Sequence, residues 1–443
     1  MSSTPYADSH LWRKIALADC NNFYVSCERA FAPHLHARPM VVLSNNDGCV
    51  ISRSPEAKSL GIKMGAPAYQ YKKFFQDNGV ILRSSNYSLY GDMSHRVMTA
   101  LSHFTERCCV YSIDESFLEL HPLHKKTTTE YCLEICRKVH RWTGIPISIG
   151  VSTTCTLAKL ANRIAKKSKT LQGVFDLSEH PQTDEILRSV PIGDVWGIGR
   201  KSTEKLVRHN IQNALELRNA PATTIQQLLT ITGRQTQLEL QGKACFPMDD
   251  TPAHRKSIRT SRSFRQGITT REDLREALVC FGARAAEKAR KEHLVAGHLH
   301  IYFRTDRHKR QQASHCVKKA IVLQPPTADT SVIIKKVGEL ANSFFGEGHA
   351  YKKAGVTLSE LRSTSQQQGD LLQLCQQNAT EQKHSATKSA ALTSLIDNIN
   401  GKYGKETVRY ASTGVKRPWS MQRQYLSPSF TTNWKDLPRV LIK

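Results

Sequence analysis

The chain has 443 residues, 39% of them hydrophobic, too many for one ordinary domain, so about two to four are expected. Lys and Arg outnumber Asp and Glu 63 to 38, a net charge of +25, and that excess points to a polyanionic partner, nucleic acid above all. No run of about 18 apolar residues occurs and Met1 to His10 lacks the apolar stretch of a secretion signal, so no membrane partner is expected and the cytoplasm is the expected compartment.

Lys14 to Asp19 (KIALAD) reads as a short buried strand that ends on a carboxylate. Pro39 to Ser44 is a second strand, closed by the turn signal Asn45-Asn46-Asp47-Gly48. Ser54 to Leu60 has helical spacing and stops at Gly61, and Tyr90 to Phe104 is an amphipathic helix. Cys108 to Leu120 (CCVYSIDESFLEL) predicts two short strands around a tight acidic turn. A helix at Thr129 to Trp142, a strand at Ile145 to Val151 and a basic helix at Thr156 to Lys167 complete an α/β core up to about residue 175.

From Asp176 to Gly242 the pattern is mostly helical, and Ala244 to Ala253 reads as a linker. A second mixed domain follows, with strands at Ser257 to Phe264, His298 to Phe303 and Ala354 to Leu358. Residues 362–389 are rich in Gln, Ser, Thr and Lys and read as a flexible tether. Beyond Ala390 aromatic residues return, which predicts a small ordered or partner-folded module. The twelve cysteines contain no CxxC pair, and Cys132/Cys136, His34/His36 and His298/His300 lack further ligands nearby in sequence, so reduced thiols are the expectation rather than zinc.

Asp114-Glu115 is the sharpest feature. Neighbouring carboxylates on a strand point to opposite faces, but in a tight turn they converge and repel unless a cation neutralises them. Asp19, at another strand end, completes the cluster if the two strands are adjacent. The residues alone leave open a solvated acidic hairpin tip beside an unrelated Asp.

Asp19-Cys20-Asn21-Asn22-Phe23-Tyr24 and Tyr111-Ser112-Ile113-Asp114-Glu115-Ser116-Phe117 resemble the metal-binding signature of Y-family DNA polymerases. Ser44 to Val50, Glu56 to Gly65, Ser85 to Tyr90, Gly150 to Lys159 and Tyr425 to Trp434 (YLSPSFTTNW) resemble the UmuC branch, the catalytic subunits of bacterial DNA polymerase V. The resemblance covers nearly the whole chain. It implies an α/β (α+β) multidomain protein shaped as a right-hand polymerase. The palm would be 1–22 and 84–175, the fingers 23–83, the helical thumb 176–243, the little finger 251–361, the tether 362–389 and a C-terminal extension 390–443.

The same resemblance implies error-prone translesion synthesis in an SOS-type damage response. Asp19, Asp114, Glu115 and the backbone carbonyl of Cys20 would hold two Mg2+ ions, with Mn2+ as a substitute. Tyr24 would be the steric gate against a 2′-hydroxyl, with Phe23 either under the nucleotide or in the core. Ser52, Lys58 and Lys166 would bind the dNTP triphosphate. The chain departs from many relatives in carrying Pro55 and Lys58 where they have Tyr and Arg.

Val195 to Lys201 resembles the thumb helix-hairpin-helix, with Gly197, Gly199, Arg200 and Lys201 on primer-template DNA. In the little finger, strand alternation puts Arg255, Ser257, Arg259 and Ser261 on one face and Lys256, Ile258, Thr260 and Arg262 on the other; Arg255, Lys256, Arg259 and Arg262 would be the DNA contacts. Gln368, Leu371 and Leu372 resemble a peptide that docks on the sliding clamp. A UmuD-like accessory dimer and the RecA filament are the other implied partners, in a nucleoid-associated setting. A non-catalytic DNA-binding scaffold and a metal-dependent nuclease are the rival readings.

Overall fold

Lys14–Cys20 forms β1, and four consecutive buried residues, Ile15 to Ala18, mean that both faces of the strand are covered. The computed structural model describes residues 14–121, 126–168, 170–248, 255–306, 314–366, 379–414 and 417–437, with backbone alone at 366 and 379–387. Two bodies result: Met1–Pro252 with Arg423–Lys443, and Ala253–Gln422. Among the described residues no helix is long and apolar enough to cross a membrane.

In the first body β1 is followed by α1 (Phe23–Ala30), β2 (Met40–Leu43), β3 (Val50–Arg53), α2 (Pro55–Ser59), α3 (Lys72–Asp77), β4 (Ile81–Ser84) and α4 (Tyr87–Ser102). Then come β5 (Cys108–Val110), β6 (Glu115–Leu120), α5 (Thr128–Thr143), β7 (Ile147–Ser152), α6 (Cys155–Lys167) and β8 (Val174–Asp176). The central sheet runs β5-β6-β1-β7-β8, with β1 antiparallel to both neighbours.

Strand alternation sorts the side chains of β1. Ala16, Ala18 and Cys20 pack with Leu89 and Met93 of α4 and Ile135 of α5. Ile15 and Leu17 pack with Phe117 of β6 and Ala158 of α6. Asp19 is the next odd-numbered residue, so the α6-facing row ends on a carboxylate.

Helix α6 is seated by a glycine and an asparagine. A Cβ on Gly150 of β7 would lie 1.9 Å from the Asn162 backbone nitrogen and 2.5 Å from the Ala158 carbonyl oxygen, so only glycine lets the helix approach this closely. The buried Asn162 amide then donates to the carbonyls of Leu17 (3.2 Å) and Ser148 (2.7 Å), tying helix to sheet.

A small three-stranded sheet, β3-β2-β4, closes over Val41, Leu43, Ile62 and Phe75. The helices α7 (Thr183–Ser189), α8 (Arg200–Arg208), α9 (Ala214–Asn219) and α10 (Ala222–Leu240) share a core of Leu187, Leu206, Leu217 and Ile225. Glu239 of α10 is fully buried, and its carboxylate accepts from the backbone N–H of Thr156 at the start of α6 and from those of Cys245 and Phe246. A buried carboxylate is tolerated because these amides solvate it.

The second body contains β9 (Ser257–Ile268), α11 (Arg271–Lys291), β10 (Leu294–Thr305), β11 (Cys316–Thr327), α12 (Thr330–Phe344) and β12 (Tyr351–Ser363), followed by a helix at Ala379–Tyr403. Its sheet is ordered β11-β10-β12-β9. Ile258, Leu299, Ile301, Val356 and Leu358 pack one face against Leu278 and Phe281 of α11 and Ile333 and Val337 of α12.

The region beyond residue 362 differs from its expected layout. Helix Ala379–Tyr403 begins inside the stretch read as tether. The C-terminal extension divides its contacts between the two bodies at residues 422 and 423. Trp419 is buried in the second body's core against Phe281, with ring centroids 5.7 Å apart. Residues from Arg423 onward belong to the first body. There Phe430 stacks on Phe31 at 5.0 Å, and the Tyr425 backbone pairs with Ser84 at the end of β4. Trp419 and Tyr410 pack on the second body's core and Phe430 on that of the first, while Tyr403 and Trp434 are exposed, a division that composition does not foresee.

Gly150→Ala is expected to lower the stability of the first body by about 3 kcal/mol, since α6 must lift off β7; thermal or denaturant unfolding measures it, and an unchanged midpoint refutes the close-approach argument. Glu28 of α1 supplies a pH test. Burial raises its pKa above the ordinary glutamate range, against the hydrogen bonds from Tyr90 and Ser427 and the charge of Arg83. The folded chain therefore binds this proton more tightly than the unfolded one, and stability falls as pH rises from the ordinary carboxylate range towards the raised pKa. Glu28→Gln is expected to flatten that slope in unfolding curves recorded between about pH 4 and 8.

Candidate active site

The strand register places Asp19 directly opposite Glu115 at the shared end of β1 and β6. Glu115 has the same parity as Phe117, so it too lies on the α6-facing row. Asp114 occupies the bend just before β6, where its backbone carbonyl accepts from the Cys20 N–H at 2.9 Å. The Ser112 hydroxyl organises this bend: it donates to Asp114 Oδ1 (2.6 Å) and accepts from the backbone N–H groups of Asp114 and Glu115. Asp19, distant in sequence, thereby lies beside the Asp114-Glu115 turn at one strand end.

Two lysines of α6 answer this negative charge. Lys166 Nζ lies 2.5 Å from Asp19 Oδ2. Lys159 Nζ lies 3.0 Å from both Glu115 oxygens and 4.4 Å from the Tyr111 ring centroid. They are seven residues apart, two helical turns, and so share one face. Burial is the main cause that pushes the Asp19 carboxyl up to about 6; Lys166 opposes the rise, while Glu115 and Asp114 add to it. As placed, no group of three His, Cys, Asp or Glu side chains among the described residues could hold a metal ion, and Asp19 and Glu115 each pair with a lysine.

Lys58 and Lys166 line one open cleft of about 920 Å3 together with Asn21, Asn22 and Ser148. Asn22 sits in the left-handed region (φ 49°) at the head of α1, and its side-chain oxygen accepts from Lys58. Ser52 is buried, with its hydroxyl 3.5 Å from the Asn22 carbonyl oxygen. Burial, with Arg53 and Lys166 nearby, lowers the Lys58 pKa.

Phe23 is buried in the core, whereas Tyr24 is partly exposed. The Tyr24 ring stacks on that of Tyr90 with centroids 4.5 Å apart and planes 20° apart. Tyr87 meets Tyr24 edge-on at 6.4 Å.

In the helical segment Gly197 adopts φ +86°, and α8 starts right after Gly199 with Arg200 and Lys201 exposed. Gly199 itself has an ordinary negative φ of −85°. Trp196, just before this turn, donates from its indole nitrogen to the Tyr111 hydroxyl at 3.2 Å.

In the second body the open sheet face carries Arg259, His300, Tyr302, Arg304, Lys318 and Lys353 around a cavity of about 550 Å3. Arg259 donates to Thr357 at 2.9 Å, its neighbour across the strands. Arg255 lies just before β9 in an exposed ion pair with Glu292, and Lys256 is exposed beside it. Arg262 does not share the open face. It has the parity of Ile258, Thr260 and Phe264, which face the helices, and it is only partly exposed. Gln368, Leu371 and Leu372 lie outside the described residues.

Sequence reasoning missed Lys159 and Ser112 at the site, and Tyr90 as the ring behind Tyr24. The spacing of Lys159 and Lys166 was a usable signal for a two-lysine face. Nothing local marks Tyr90, because its partner Tyr24 is far away in sequence.

Residues 18–163 match the impB/mucB/samB family, residues 255–371 the impB/mucB/samB family C-terminal domain, and residues 390–440 a domain of unknown function (DUF4113). The chain is 39% identical to Protein UmuC of Salmonella typhimurium (strain LT2), over 96% of this chain and 99% of that protein. It is 37% identical to Protein SamB of Salmonella typhimurium, over 96% and 98% respectively. Among solved structures, a Y-family DNA polymerase chimera of Dbh and Dpo4 superposes with a TM-score of 0.60 at 20% identity, covering 79% of this chain and 99% of the other.

Proposed function

The chain belongs to the impB/mucB/samB family, and we propose that it is a Y-family DNA polymerase of the UmuC type. It extends a primer along a template, past damaged bases and with low fidelity, as part of an SOS-type response to DNA damage. The observation that carries this reading is the register of Asp19 against Glu115, with Asp114 in the adjoining bend.

Asp19, Asp114 and Glu115, with the Cys20 carbonyl, would hold two divalent cations, Mg2+ by preference and Mn2+ as a substitute. The donors are hard oxygens of the kind Mg2+ prefers, and burial raises the Asp19 carboxyl even with Lys166 beside it. When bound, such ions lower the pKa of the primer 3′-hydroxyl and neutralise the triphosphate.

The chain's own residues supply the rest. Lys159 and Lys166 balance Glu115 and Asp19 while no nucleotide is present. Lys166, lining the same cleft as Lys58, then turns its ammonium to the incoming phosphates, and Ser52 adds a hydroxyl. Lysine gives a point charge rather than a fork, so phosphate orientation depends on several groups together. Tyr24 excludes a 2′-hydroxyl on the sugar. Phe23 stays in the core.

Gly197, Gly199, Arg200 and Lys201 hold the DNA backbone in the thumb, and Arg259 with Arg255 and Lys256 holds it in the little finger. His300, Tyr302, Arg304, Lys318 and Lys353 join Arg259 on the same open face, whereas Arg262 does not. Such a face follows phosphates without reading bases, which suits a polymerase that accepts damaged templates. Gln368, Leu371 and Leu372 dock on the sliding clamp, and a UmuD-like dimer and the RecA filament are further partners. The setting is the bacterial cytoplasm, at the nucleoid.

Primer extension past an abasic site, with Mg2+ and dNTPs, tests this. The wild-type chain, with accessory proteins added, is expected to lengthen the primer, and Asp114→Ala to lower the rate by about a thousandfold or more. Extension that survives the substitution contradicts the catalytic assignment, and shortening of the primer indicates a nuclease.

A further inference from the structure

The segment Tyr425 to Phe430 has no role in the chemistry described so far, yet it is sewn into the first body at Ser84, Asn86, Glu28 and Phe31. Tyr24 and Glu28 are one turn apart on α1 and so share a face. Tyr90 of α4 is wholly buried, stacks on Tyr24, and donates its hydroxyl to Glu28 Oε1 at 2.8 Å. The Ser427 hydroxyl donates to the same Glu28 oxygen at 3.0 Å. Asn86, which caps α4 by accepting from the Leu89 N–H, turns its amide nitrogen to Ser427 and to the Pro428 carbonyl.

The surrounding contacts hold both helices from this one segment. The Ser84 N–H donates to the Tyr425 carbonyl at 3.0 Å, just before α4 begins. Phe430 stacks on Phe31, immediately after the end of α1. Ser427 is 5% exposed, so its hydrogen bonds are shielded from competing water.

We propose that Tyr425 to Phe430 is a positioning element of the sugar selector, with Ser427 acting through Glu28 and Tyr90 to fix the Tyr24 ring. This rests on the reading of Tyr24 as the steric gate. Exclusion of one hydroxyl requires a wall that does not yield by a fraction of an ångström. Tyr24 is itself partly exposed, so its rigidity is borrowed from Tyr90 behind it. Tyr90 in turn is anchored at its hydroxyl by Glu28, whose carboxylate is held by Ser427. The C-terminal segment touches no nucleotide in this scheme; it sets how much room the sugar has.

The test is single-nucleotide incorporation by the full chain, comparing kcat/KM for a dNTP and the matching ribonucleotide. Tyr24→Ala is the control and is expected to raise relative ribonucleotide use by a large factor. If it does not, the gate reading itself fails. Ser427→Ala is expected to raise the same ratio by roughly threefold to tenfold, the range open to a lost buried hydrogen bond, with dNTP incorporation little changed. Ser427→Thr, which keeps the hydroxyl, is expected to restore discrimination. In the Tyr24→Ala background, Ser427→Ala is expected to add nothing, because the ring it positions is gone. Tyr90→Phe keeps the stacked ring and removes its anchor; it is expected to act like Ser427→Ala and replaces it should that variant fold poorly. Wild-type discrimination in either single variant, or equal losses for both nucleotides, overturns the proposal while leaving the gate reading intact.

Discussion

Two carboxylates face each other across an antiparallel strand pair, and the first body is arranged around that repulsion. Asp19 and Glu115 are register partners on a row that is otherwise apolar. Like charges at this spacing in a partly buried site are costly unless cations answer them. Helix α6 provides two, Lys159 and Lys166, on one face. That helix is placed by the missing side chain of Gly150, by the Asn162 amide across β1 and β7, and by the buried Glu239 carboxylate at its start. Remove the close approach and the lysines no longer reach the acids.

This arrangement links resting charge balance to catalysis. In the proposed function, ammonium groups that neutralise carboxylates in the absence of substrate turn to the phosphates when nucleotide arrives. Lys166 stands at that exchange, bonded to Asp19 and lining the cleft that Lys58 also lines. Further exposed positive charge lies at the start of α8 and on the open face of the second body's sheet, where the proposed function puts the DNA. The chain crosses between the two bodies twice, near residue 252 and again near 422, so the last segment is part of the catalytic body although it follows the second body in sequence.

The strand end at Asp19 and the turn at Asp114-Glu115 were legible because strand ends and turn residues are local signals. KIALAD and the Cys108 to Leu120 hairpin formed where expected, since their alternation and turn chemistry agree with the buried sheet. The fold class was legible for the same reason. The edge strand β11 was not, because its exposed Lys318 and Lys319 give no alternating apolar pattern. The short β3 and β4 were not legible either, because Ser52, Arg53, Arg83 and Ser84 leave each without an apolar run like that of β2. Arg262 was counted with the DNA contacts although strand parity sends it to the helix-covered face. The role of Ser427 was out of reach, because its partners Glu28 and Asn86 lie 399 and 341 residues away in sequence.

The proposed chemistry requires Asp19 and Glu115 to exchange their lysine partners for divalent cations, with Asp114 beside them. Binding of Mn2+ to the full chain, followed by electron paramagnetic resonance with a non-hydrolysable dNTP analogue present, tests that without any turnover. Saturable binding by the wild-type chain that is lost in Asp19→Asn and in Glu115→Gln is the predicted result. Equal binding by both variants and the wild type would contradict it.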